Sequence, residues 1–460
     1  MSVSAELLDQ SAQAIAKAIA RKQISAVEIT EAAIARIEAR DRQINAVVVR
    51  DFDRATSAAK AADAAIARGE RKPLLGVPMT VKESHDVAGL PKTWGYKGFK
   101  DFVPPLDSIG VKRLKAAGAI ILGKTNVPVG LADWQAFNPV YGRTNNPWDL
   151  ARTPGGSSGG AAAAVAARMV PLEFGSDIGG SIRVPAAFCG IYGHKPSWSI
   201  IPPRGEGPPG VDGAEPALAV VGPLARSASD LEVALGVLAG PDEDQAIAYH
   251  LMLPPARHKG IADFRVLVVD HHPITKTDTE ITGALDGLAQ ELAAAGARIA
   301  RQSQLLPDLR LAYEAYMPMM LAIMSRGQPG AQSPSAHEYM NLVDVQFRLG
   351  RQWAALFMEF DVVLAPALGV LAFQHDDEPD QTKRRLMVDG EPTPFMPHLA
   401  WPGMATFPNL PATAVPIGRS RSGLPIGIQI VGPYLEDLTP IEFAKLLERE
   451  FGGYRPPPGY

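Results

Sequence analysis

The amino-acid sequence predicts an α/β fold: one large domain in which a mixed, mostly parallel, twisted sheet is sandwiched between layers of helix. Three observations lead there. Short apolar runs of strand length, Gly76–Val81, Arg265–Val269, Phe360–Pro366 and Gly427–Gly432, recur along the chain. Helical periodicity fills the intervals, and none of these runs follows another at hairpin spacing. At 460 residues the chain has the length that α/β proteins often use for a single body.

The elements follow in order. From Ser11 to about Gly69 the chain reads as helical, with Ile15, Ile19, Ile24, Val27, Ile34 and Ile37 at spacings of three, four and seven. Ser25 followed by Glu28 reads as a capping box opening the second helix, and Asp53 to Arg68 as a further helix stopped by Gly69. These helices are read as packing elements and as a candidate homodimer surface. Ser57 and Lys60 fit a Ser-x-x-Lys pattern, but its Ser-Asp-Asn and Lys-Thr-Gly partners are missing, so it is taken as chance. Gly76–Val81 is a short buried strand with Lys82 at its end.

Gly118 to Thr125 (GAIILGKT) matches the phosphate-loop pattern in letters only. A phosphate loop needs its strand before the first glycine, whereas here a helix precedes Gly118 and the strand lies inside the motif. Asn126 to Asp149 reads as loop, and its Trp134, Phe137, Tyr141 and Trp148 either line a pocket or pack its rim. Ala161–Arg168 is a helix whose N-terminal end falls at Gly159 and Gly160. Ile201 to Ala217 reads as a Pro/Gly-rich surface loop, Ser227–Ala239 as helix, and Thr279–Ala295 as helix with Gly296 at its C-terminus. Residues 313–335, with Met317, Met319, Met320 and Met324, are a candidate pocket-covering lid; methionines so clustered are more often core filler.

Composition bounds the function. The 45 basic and 49 acidic residues leave a net charge of −4, and no basic cluster marks a nucleic-acid or membrane-surface partner. The single cysteine, Cys189, excludes an internal disulfide framework and suits a reducing cytoplasm. The N-terminus lacks the apolar core of a secretory signal, and no apolar run approaches the ~18 residues that span a bilayer. No His-Glu-x-x-His, Cys-x-x-Cys or carboxylate cluster proposes a metal, and no cofactor is expected.

The chemistry concentrates between Thr153 and Gly190, TPGGSSGGAAAAVAARMVPLEFGSDIGGSIRVPAAFCG. Glycines this dense offer backbone N–H groups and close approach rather than a core. Two serines sit among them, Ser157 and Ser181, and a hydroxyl beside free N–H groups is what acyl transfer needs. Gly155 to Gly159 also fits Gly-x-Ser-x-Gly, the nucleophile elbow of α/β-hydrolases. That reading makes Ser157 the nucleophile and requires His375 or His398 as base, since His194 follows too closely.

The run GGSSGG with its alanine helix, then GSDIGGSIRVPA, resembles the amidase signature family. PLLGVPMTVKES, GLPKTWG, AGAIILGKTNVP, YGRTNNPWD, HKPS, NLPATAVPIG and GLPIGIQIVG extend the resemblance from about Asn45 to Gly432, weakening between Pro241 and Phe360. It implies the amidase signature fold, with 1–70 a helical segment packed on the core and 71–240 the signature core. Residues 241–360 become a variable region, with a candidate pocket-covering insertion, and 361–460 the remainder of the same domain.

The resemblance implies Ser181 as nucleophile, Ser157 as bridging serine and Lys82 as base, with a cis peptide at Gly156–Ser157. A bridging hydroxyl can accept from one serine while donating to the amine. Lys82 accepts a proton only when neutral, so burial must lower its pKa from an ordinary value near ~10.4. The N–H groups of Ile178, Gly179, Gly180 and Ser181 are implied as the oxyanion hole, with Asp177 and Arg183 as structural support. Leu131, Ala132, Trp134 and Gly156 are implied as substrate-binding residues. Their apolar, aromatic character favours a small hydrophobic or aryl acyl amide as partner, with carbamates and esters as alternatives. The A-type subunits of glutamyl-tRNA amidotransferases resemble the chain too, but usually carry an acidic, methionine-containing stretch where this one has VPVGLADW.

Overall fold

The computed structural model describes residues 3–326 and 334–460. Eleven strands form one sheet: β1 (Val47–Arg50), β2 (Pro78–Lys82), β3 (Ile120–Thr125), β4 (Leu172–Asp177), β5 (Tyr192–Lys195), β6 (Val220–Ala225), β7 (Arg265–Val268), β8 (Arg298–Ala300), β9 (Val362–Pro366), β10 (Ala412–Arg419) and β11 (Pro425–Val431). Their spatial order is β1-β3-β2-β4-β6-β5-β10-β11-β9-β7-β8. Helices flank this sheet, giving the expected single α/β domain.

Parallel pairing groups at the two ends, in β3-β2-β4 and in β9-β7-β8. The centre, from β4 through β6, β5, β10 and β11 to β9, is antiparallel throughout, as is edge strand β1 on β3. The expected parallel character therefore belongs to the outer blocks. Part of the reason is a hairpin: Ser420–Leu424 turns β10 directly into β11. The apolar run of β11 is recognisable in the sequence, but β10 opens on apolar residues that read equally as loop.

Local chemistry accounts for the outer elements. The Ser25 hydroxyl accepts from Glu28 N–H at 3.0 Å while Ser25 N–H donates to the Glu28 carboxylate at 2.8 Å, the expected capping box. The helix it opens, Ala26–Ile44, ends at Asn45 in the left-handed region. β1 follows, interrupting what the sequence reads as continuous helix. Its Val47-Val48-Val49 run is β-branched and pairs with β3, and Asp41 caps its start through Ala46 and Val47 N–H. Six of the eight phosphate-loop letters, Ile120–Thr125, form β3. Residues 201–217 are only partly surface: Ile201 and Glu206 are buried, while 210–214 are exposed.

Two features place the site. β2 and β4 are parallel neighbours, with Thr80 opposite Glu173 and Val81 opposite Phe174, so their C-terminal ends deliver Lys82 and Ser176-Asp177 to one edge. The helix Gly159–Ala166 is buried on all sides. Only glycine fits at position 160, where a Cβ would stand 2.4 Å from Asn126 N and 2.9 Å from Ala46 O. This close seating brings Ser157, just before the helix, to the ends of those strands.

Candidate active site

Lys82 is fully buried, and its ammonium donates to Ser157 Oγ at 2.6 Å and Ser176 Oγ at 2.9 Å. Among the described residues it forms no ion pair. Burial lowers its pKa from 10.5 to about 8, opposed by the charges of Glu206, Asp177 and Glu173. Asp177 lies near 2 in spite of burial because Arg183 pairs with it, at 2.9 Å. Burial pushes Glu173 up to about 8, so it is largely protonated at neutral pH; Thr125 Oγ1 donates to it at 2.6 Å. The amine is dry, and the acids closest to it are either matched by arginine or raised in pKa by burial.

Ser157 follows a cis peptide at Gly156–Ser157. Ser181 is 6% exposed, its hydroxyl without a hydrogen-bond partner among the described residues, and its carbonyl accepts from Ser158 N–H at 3.1 Å. The two signature loops are thereby joined, although no direct Ser157–Ser181 hydroxyl contact is formed among the described residues. Neither serine has a histidine partner there. His398 instead contacts Thr393 at 2.8 Å, and His194 contacts Thr413 at 2.9 Å and Asp437 at 3.1 Å.

The loop 177–181 is fixed from three directions. Asp177 accepts from the N–H groups of Gly180 (2.9 Å), Ile182 (3.0 Å) and Arg183 (3.3 Å). Arg183, also fully buried, continues to Pro402 O, Gln429 Oε1 and Thr406 Oγ1, so loop and sheet form one polar network. Tyr316 Oη donates to Ile178 O at 2.7 Å and Trp134 Nε1 to Gly179 O at 2.9 Å. Because a peptide is planar, holding a carbonyl also fixes the next residue's N–H. The N–H groups of Ile178, Gly179 and Ser181 have no acceptor among the described residues, whereas that of Gly180 is taken by Asp177. Gly180 itself, at φ +90, adopts a conformation that favours glycine.

The residues expected to bind substrate divide. Trp134 is buried 4.8 Å from the Phe395 ring, and a Cβ on Gly179 would meet Leu399, Tyr316 and Met320. These side chains make an apolar wall beside the loop. Leu131 is buried with φ +58, while Ala132 is exposed. Gly156 faces backbone, a Cβ there standing 2.2 Å from Asp133 O. The helix Leu309–Met324 supplies Tyr316 and Met320 to the wall; of the candidate lid, 327–333 lie outside the described residues. Ser176, Glu173, Glu206 and Tyr316 were not indicated by sequence. The buried spacing of Ala312, Tyr316, Met319 and Met320 is the signal that marks Tyr316.

No group of three His, Cys, Asp or Glu side chains is arranged to hold a metal among the described residues, and no described helix is long and apolar enough to cross a membrane.

A family model described as Amidase matches residues 28–327 and 319–439. The chain is 32% identical to the A-type subunit of the glutamyl-tRNA(Gln) amidotransferase from Anaeromyxobacter sp. (strain K), covering 96% of each. It is 32% identical to fatty-acid amide hydrolase 2-A of Danio rerio, over 98% of this chain and 90% of that protein. Among solved structures, a bacterial aryl acylamidase superposes with a TM-score of 0.82 at 27% identity, covering 96% of each chain.

Proposed function

The chain belongs to the amidase signature family, and on that premise we propose that it is a serine hydrolase of carboxylic amides, forming its acyl-enzyme on Ser181 with Ser157 and Lys82 carrying the proton. The observation that carries this reading is the buried Lys82 amine, 2.6 Å from Ser157 Oγ and without an ion-pair partner among the described residues. In its charged form the amine donates to Ser157, and once neutral it accepts the proton of that hydroxyl. Ser157 in turn accepts from Ser181, whose oxygen attacks the amide carbon. The N–H groups of Ile178, Gly179 and Ser181 stabilise the resulting oxyanion; losing one such donor typically costs about 2.7–4 kcal/mol. Collapse breaks the C–N bond, the proton returns to the departing amine, and water hydrolyses the ester on Ser181.

The wall of Trp134, Phe395, Met320 and Leu399 supports a hydrophobic or aryl acyl group. Carbamates and esters present the same carbonyl geometry to this site. The buried Cys189 supports placement in a reducing cytoplasm. A second reading, an A-type amidotransferase component, is favoured by the 32% identical relative; it requires glutamine-linked transfer with a partner protein, which the purified chain alone would lack.

The test is labelling with a fluorophosphonate and mapping of the adduct by mass spectrometry. The adduct is expected on Ser181; finding it on Ser157 overturns the assignment. Turnover is expected to survive EDTA.

A further inference from the structure

Glu206 is a buried carboxylate with no part in the chemistry above. It is carried inward by the proline-rich loop after Ile201, and that loop is tied firmly. Gly205 O accepts from Asp86 N–H at 2.7 Å and from the Lys92 ammonium at 3.1 Å, and Arg204 O accepts from Ile109 N–H at 3.1 Å. Gly205 has φ +89, and a Cβ there would stand 2.6 Å from Ser108. Ser84 Oγ donates to Glu206 Oε1 at 3.0 Å. The Ser176 hydroxyl, which accepts from Lys82 at 2.9 Å, also bears on the Glu206 carboxylate. Ser84 stands two residues beyond Lys82, so the carboxylate is anchored beside the segment that carries the amine.

We propose that Glu206, anchored by Ser84 beside the end of β2, is a positioning residue whose carboxylate keeps the buried Lys82 amine a competent base. The proposal rests on the reading of Lys82 as the base. Its logic is a balance: burial weakens the amine as a proton acceptor, and a nearby carboxylate restores it. The other charges facing Lys82 are already answered. Asp177 is paired with Arg183, and Glu173, on the neighbouring strand, is largely protonated at neutral pH. His85, stacked on Phe174 at 4.2 Å, is held neutral by burial. Lys92, which faces Glu206, is matched by Asp86 at 2.8 Å. Burial raises the pKa of Glu206, and Lys82, Ser176, Lys92 and Ser84 pull it back, so each of the pair favours the other's charged form.

The experiment is Glu206→Gln in the full chain, with the Lys82 titration followed by NMR of 13Cε-labelled lysine and the resonance assigned by its loss in Lys82→Met. The Lys82 midpoint is expected to fall by about one pH unit, within the range for loss of a nearby opposite charge. The acid limb of kcat/KM should move down by the same amount, and the plateau kcat should drop several-fold as the base weakens. An unmoved Lys82 resonance overturns the proposal. A resonance that moves while the rate profile stays fixed upholds the coupling and instead refutes Lys82 as the base. Should Glu206→Gln fail to fold, Ser84→Ala removes a donor to the carboxylate. It should lower the Lys82 midpoint in the same sense by less, and an unmoved midpoint there overturns the proposal equally.

Discussion

Lys82→Met should show what it costs to keep a lysine dry. Burial takes the amine from 10.5 to about 8, a depression of about 2.5 units. At about 1.36 kcal/mol per unit, the folded state is penalised by about 3.4 kcal/mol below about pH 8, where the amine is charged in both states. Between those two values the unfolded chain binds the extra proton, so wild-type stability climbs with pH as the penalty fades. Methionine removes the penalty but strips Ser157 and Ser176 of their donor, an offset of about 1–3 kcal/mol. The variant should therefore be modestly more stable at pH 7. The sharper quantity is the pH dependence of its advantage, which the lost hydrogen bonds do not alter: the gap should close by about 2 kcal/mol between pH 7 and pH 9.5. Urea unfolding read by tryptophan fluorescence, at pH values where refolding is complete, measures it. A gap that stays flat across that range refutes the argument, because the amine would then have the same proton affinity folded and unfolded.

Three further outcomes are expected. Activity should rise with pH through about 8, since the proposed base Lys82 accepts a proton only as the neutral amine; a kcat/KM profile flat on both sides of that value contradicts the assignment. Tyr316→Phe removes the 2.7 Å bond to Ile178 O, whose peptide carries the Gly179 N–H. It should lower kcat about tenfold with little change in KM, corresponding to about 1–1.5 kcal/mol, and steady-state kinetics with unchanged kcat would show that the phenol O–H does not matter. Asp177→Asn leaves the guanidinium of Arg183 buried and unmatched. It should cost about 3–5 kcal/mol, seen as a lower urea midpoint, and a wild-type midpoint would count against the pair.

What the sequence made legible was local. Ser25 and Glu28 announce a helix start because both partners lie within one turn, and β2 and β11 announce themselves by short, mostly apolar runs. The glycine-serine clusters announce a site because nothing else explains so much bare backbone. The features that escaped depend on tertiary placement. Glu206 sits in PPRGEGPPG, a composition that reads as solvated, and only ties to Asp86, Lys92 and Ile109 turn it inward. β1 was hidden because Val47–Arg50 continues a helical stretch and becomes a strand by pairing with β3. Phe137, one of four aromatics weighed for the pocket, is 45% exposed, while Trp134 is 4% exposed; four rings in one loop are not separable by spacing alone.

The carbonyls of Ile178 and Gly179 are tethered to Tyr316 and Trp134, which also belong to the apolar wall. On the proposed mechanism, recognition and rate therefore share the same side chains. An acyl group too bulky for the wall would push on these two rings, and Tyr316 would tilt the peptide plane that carries the Gly179 N–H. Such a compound could still be captured, yet react slowly, because misfit would be felt where negative charge accumulates.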